Sequence, residues 1–247
     1  MSLSVKCSGH RCCGNIPTKR VTRTSGQLMN RSQTEIIEHV FETLQNHFGC
    51  FEWWLNEAPF EVMMGAILVQ NTNWNNAEKA LTNLAEHCSP QGIAALPLEK
   101  LAERIRPSGY YNQKALKLKA LTQWYEGYNY DIALVKQVEQ SLLRQELLAI
   151  KGIGGETADA ILVYATHKPS FVIDAYARRI LSRNGVKVPK RYDDFQQLVE
   201  QAIPRQTELY AYYHGLIVEH GQQFCRPKPK CDGCPLLPTC LGPDVAS

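Results

Sequence analysis

From Ser32 onward, apolar residues recur at intervals of three and four, the period of helices that bury one face. Ile36, Ile37, Val40, Phe41 and Leu44 form the first stripe, and Ser32 with Glu35 has the spacing of a capping box. Pro59 opens a second predicted helix carrying Val62, Met63, Ala66, Ile67 and Val69. A third is expected from about Asn75 to His87, through Ala77, Ala80, Leu81, Leu84 and Ala85. Further helices are expected at 98–105, 113–125, 139–149, 157–166, 175–183, 193–203 and 206–219. No period-two alternation competes with them, and the linkers are short. The expectation is an all-α fold.

Residues 1–31 have no apolar period and are rich in Gly, Ser, Thr, Lys and Arg. They read as a disordered basic tail that includes Lys19, Arg20 and Arg23. Apolar residues make up 44% of the 247 and charged residues 21%, which excludes collagen-like, coiled-coil and wholly disordered chains. The longest apolar run, Val62 to Val69, is far below the ~20 residues of a membrane-spanning helix. With no apolar leader segment, the expectation is a soluble intracellular protein without membrane contact, cytoplasmic or nucleoid-associated if bacterial. Net charge is only +3, so a nucleic-acid partner would have to be met by local clusters of Lys and Arg.

Of nine cysteines, Cys225, Cys231, Cys234 and Cys240 fall in one short C-x5-C-x2-C-x5-C segment. Such a cluster reads as metal ligation, and four thiolates suit either zinc or a [4Fe–4S] cube. Arg226, Lys228 and Lys230 charge its first loop for phosphate contact. Cys7, Cys12 and Cys13 with His10 are a weaker candidate for a second metal site, because their spacing fits no common zinc pattern.

Between predicted helices lies Lys151-Gly152-Ile153-Gly154-Gly155-Glu156-Thr157. Gly152, Gly154, Gly155 and Thr157 allow a tight hairpin whose amides open the next helix, a nest for a phosphate; a plain interhelical turn is the alternative. About twenty residues on, Asp174 precedes a helix and would cap it, whatever else it does. Gln70, after the apolar run, could likewise be only a cap.

Hairpin, helix and Asp174 together resemble the helix-hairpin-helix-GPD superfamily of base-excision DNA glycosylases, over roughly residues 33–240. The resemblance implies a two-lobed all-α enzyme acting on double-stranded DNA as a monomer. One lobe would span 50–165, the other 32–49 and 166–247 with the cysteine loop 225–240, and the DNA and base would lie between them. It implies that Asp174, followed by Arg179 in the family's D-x-x-x-x-R spacing, is the catalytic carboxylate. Gln70 would fill the gap left by the flipped base. The endonuclease III branch implies a [4Fe–4S] cluster on Cys225, Cys231, Cys234 and Cys240, although its first gap is one residue longer.

Glu156 stands where bifunctional endonuclease III enzymes carry their Schiff-base Lys, so a monofunctional enzyme is expected. Lys151 is the neighbouring amine that could substitute. Ala66 stands where adenine glycosylases have an acidic residue. Glu52-Trp53-Trp54, Arg106–Ala115 and Val69-Gln70-Asn71-Thr72 resemble the 3-methyladenine DNA glycosylase III type, whose known members lack the cysteine cluster. That likeness makes Trp53, Trp54 and Trp74 candidates for a pocket wall suited to a cationic alkylated purine, with core packing as the alternative. The functions left open are alkylpurine glycosylase, glycosylase/lyase on oxidised pyrimidines, and non-catalytic DNA-binding module.

Overall fold

The computed structural model describes residues 31–51, 53 and 58–242. The tail with its three cysteines, and Trp54, lie outside them. Among the described residues all regular structure is helical. The helices are α1 (Gln33–Phe48), α2 (Pro59–Leu68), α3 (Trp74–Leu84), α4 (Pro90–Ala95), α5 (Leu98–Arg104), α6 (Tyr111–Glu126), α7 (Ile132–Gln137), α8 (Gln140–Ala149), α9 (Gly155–Ala160), α10 (Ala175–Arg183), α11 (Tyr192–Ala202) and α12 (Thr207–Gln223). They group into two compact units, one within Met1–Leu55 and Pro169–Ser247, the other Asn56–Lys168.

In the first unit α1, α10, α11 and α12 share a core of Ile37, Val40, Phe41, Leu44, Phe171, Ile180, Phe195, Tyr213 and Leu216. The Ser32–Glu35 capping box is formed and starts α1. Tyr213 is fully buried, so its hydroxyl must be paired inside, and it donates to Ile37 O at 3.0 Å. Two glycines let aromatic rings lie flush on α12. A Cβ at Gly215 would stand 2.5 Å from Trp53 Cγ, and one at Gly221 would stand 2.2 Å from Tyr176 Cδ1.

The second unit is built around α2, buried on nearly every face and packed by α3, α6 and the turn after α9. Its carbonyl end is closed by Lys114, whose buried Nζ donates to Leu68 O at 2.8 Å and Ser108 O at 2.6 Å. Lys119 does the same for α4, donating to Ile93, Ala94 and Leu96 carbonyls.

Local differences from the sequence expectation have local causes. The third helix stops at Leu84 because Ala85 adopts φ 42°, and three residues of 3-10 helix follow. The short helices α4 and α7 carry too few residues to show a period; side chains of Ser89 and Asp131 cap them. The helix expected over 157–166 begins at Gly155 and widens into a π turn over Ile161–Ala165. There Thr166 N–H reaches back to Ile161 O while its hydroxyl takes Leu162 O.

Candidate active site and nucleic-acid interface

The hairpin joins α8 to α9 within the second unit. Gly152 holds φ 91°, and a Cβ there would stand 2.5 Å from Lys117 Cε, so only glycine fits. Ile150 and Ile153 are buried beneath the turn, while Lys151, Gly152, Gly154 and Glu156 are exposed at its tip. No side chain caps the start of α9. A helix start without a side-chain cap at an exposed tip is the kind of place that can receive a phosphate oxygen.

Thr157 is buried, and its hydroxyl accepts from Gln70 Nε2 at 2.8 Å. Gln70 also donates to Gly152 O at 3.4 Å and accepts from Lys117 Nζ. The side chain of Gln70 is thus tied to the hairpin, and it caps no helix. Trp74 is the first residue of α3 in this unit. Tyr110 is 71% exposed at φ 45°, an aromatic face held in a backbone conformation that ordinarily favours glycine.

In the first unit Asp174 caps α10. Its Oδ1 accepts the Ala177 N–H at 2.7 Å. Its Oδ2 lies 3.6 Å from His214 Nε2 on α12, with the two side chains 14% and 12% exposed respectively. Trp53 packs on Gly215 and stands edge-on to His214, ring centroids 6.5 Å apart at 85°. The structure therefore brings Asp174 and Trp53 together through His214, a residue the sequence reading passed over. Its signal was available: a polar ring inside the most apolar stretch of α12, where a buried polar group requires a partner.

The same unit carries the cysteine segment. Cys225, Cys231, Cys234 and Cys240 line one pocket together with Arg183, His220, Phe224 and Leu236. Arg183 Nη1 donates to Cys225 Sγ at 3.3 Å and to Arg226 O at 2.8 Å, and Arg179 Nε donates to Cys225 O at 2.7 Å. The Cys234 thiol is pushed up, first by burial and in part by the neighbouring sulfurs of Cys240 and Cys225. Among the described residues no three His, Cys, Asp or Glu side chains are close enough to hold a single ion. Four thiols lining one pocket are a donor set that fits a metal group. Arg226, Lys228 and Lys230 are exposed on the first loop of the segment.

Residues 64–205 match the model of the HhH-GPD superfamily of base excision DNA repair proteins. The chain belongs to that superfamily. Among HhH-GPD relatives, a Methanocaldococcus jannaschii protein named as a DNA repair glycosylase is 43% identical over 218 residues, covering 86% of this chain and 99% of the relative. Endonuclease III of Thermotoga maritima is 31% identical over 188 residues, covering 74% and 82%. The 3-methyladenine DNA glycosylase of Helicobacter pylori, solved bound to 1,N6-ethenoadenine, is 33% identical with a TM-score of 0.66, covering 78% of this chain and 98% of that one. An endonuclease III–DNA complex shares the HhH-GPD fold at 24% identity and a TM-score of 0.71, covering 85% and 96%. Among the described residues no helix is long and apolar enough to cross a membrane.

Proposed function

We propose that this DNA N-glycosylase is monofunctional and removes an alkylated purine such as 3-methyladenine from double-stranded DNA. The observation that carries the reading is the pairing of Asp174 with Trp53 about His214, combined with a carboxylate, Glu156, at the position of the Schiff-base amine. Alkylation makes the base cationic and a good leaving group, and an electron-rich indole face attracts it. The bond from C1′ to the base nitrogen breaks, and the base leaves neutral with the bonding pair. Asp174 stabilises the positive charge developing on the sugar, water adds at C1′, and the carboxylate takes the proton water gives up. Amides of Gly154, Gly155 and Thr157 hold a phosphate of the strand, Gly152 shapes that turn, and Gln70 occupies the space the base vacates.

Cys225, Cys231, Cys234 and Cys240 would hold a [4Fe–4S] cluster, which supplies a rigid thiolate-bound frame for the loop carrying Arg226, Lys228 and Lys230. Their arrangement around one pocket supports this. Yellow-brown protein containing iron and sulfide is the expected preparation; colourless protein with stoichiometric zinc would contradict it.

The second reading, a glycosylase/lyase on oxidised pyrimidines, is favoured by the relatives named endonuclease III. A panel of duplexes carrying 3-methyladenine, 1,N6-ethenoadenine or thymine glycol separates the two, with strand cleavage scored before and after alkali. Release of an alkylpurine with strands cut only by alkali is expected. Efficient borohydride trapping of a covalent complex would overturn the monofunctional reading and point to Lys151 or another amine.

A further inference from the structure

Asp174 has two oxygens in different circumstances. Oδ1 is committed to the helix cap at 2.7 Å from Ala177 N. Rotation of a carboxylate about its terminal bond is soft, so one hydrogen bond alone lets the group swing about the cap. The other oxygen meets His214 Nε2 at 3.6 Å. The helix backbone that carries that imidazole is held in place, because Tyr213 and Leu216 beside it are fully buried in the unit core. The next residue, Gly215, admits Trp53 against the helix backbone, and the Trp53 ring stands edge-on to the same imidazole. One dipeptide of α12 therefore touches both the carboxylate and the aromatic wall.

We infer that His214 is a positioning residue for the glycosylase reaction, holding Asp174 Oδ2 towards the sugar in fixed register with the Trp53 ring. The inference rests on Asp174 being the reactive carboxylate. Helix packing alone does not call for an imidazole at this place, since an apolar side chain would bury there without the cost of removing ring nitrogens from water. A ring nitrogen 3.6 Å from a carboxylate oxygen is close enough to bias that oxygen's direction. Misplacing a reacting group by roughly an ångström lowers rates by about 10²-fold, while binding of the substrate need not change.

The test is single-turnover base release from methylated duplex DNA, or from a thymine glycol duplex if that is what the wild-type protein excises. Affinity for an abasic-site duplex is measured in parallel. His214→Ala should slow release by about 10²-fold with affinity within twofold. His214→Gln, which places an amide donor near the same spot, should recover most of the rate, and His214→Met, which fills the space without a donor, should not. Asp174→Asn is the control. An inactive Asp174→Asn beside a His214→Ala of wild-type rate would overturn the inference alone; an active Asp174→Asn would overturn the reading on which it rests. If His214→Ala fails to fold, the Gln and Met variants decide, and equal rates overturn the inference. A loss confined to DNA affinity would do the same, making His214 part of the interface.

Discussion

Arg144 and Asp159 meet as a two-pronged ion pair, Nε to Oδ1 at 2.8 Å and Nη2 to Oδ2 at 3.1 Å, with the carboxylate fully buried. The pair ties α8 to α9, the two helices the hairpin joins, so the turn between them is braced. Removing one partner strands a buried charge, which typically costs about 3–5 kcal/mol. Arg144→Met should lower the denaturant midpoint accordingly, and Arg144→Met with Asp159→Leu should recover much of the loss. A double variant no better than the single one would show that the brace is not electrostatic.

Gly152 meets two demands at once, a left-handed backbone and the close passage of Lys117. Gly152→Ala should destabilise the second unit by about 1–2 kcal/mol and weaken DNA binding in proportion. Adding Lys117→Ala relieves the crowding but leaves the backbone strain, so thermal melts should show partial rescue only.

Lys114 provides a pH test. Burial pushes its ammonium down to about 8, with Lys117 contributing in the same direction. Between pH 8 and the ordinary lysine value near 10.5, the unfolded chain holds a proton that the folded chain has released. Stability relative to Lys114→Met should therefore rise with pH across that window, by roughly 2–3 kcal/mol in total. Denaturation curves for both proteins at pH 7.5, 9 and 10.5 check the sign; a flat difference would place the lysine in a better-solvated setting.

Replacing Arg226, Lys228 and Lys230 with Gln should flatten the slope of log affinity against log salt by up to about three units if all contact phosphates. Fluorescence anisotropy on an undamaged duplex measures it. No change in slope would mean that this loop turns away from DNA.

Helix positions were largely readable from sequence because burial imposes its period wherever a helix is long enough. The stripe of α1, the cap at Ser32 and the start at Pro59 all follow from local chemistry. What escaped was set by tertiary contact. The tether of Gln70 to Thr157 and Lys117 and the meeting of His214 with Asp174 join residues far apart in the chain, and no local period encodes them. The motif glycines at 152 and 154 announced a turn, but not that Lys117 would lie across one of them. Asp174 as a helix cap was visible in sequence; which of its oxygens remains beyond the cap required the fold.

The two glycines of α12 have a consequence for how that helix comes to exist. Each lowers intrinsic helicity by about 1 kcal/mol relative to alanine, and the tyrosines around them add little of their own. Cut out as a peptide, Thr207–Gln223 would be mostly coil in water. In the protein the segment is helical because its neighbours make it so. The imidazole beside Asp174 therefore owes its place to the packing of the whole unit rather than to the segment's own preference for a helix.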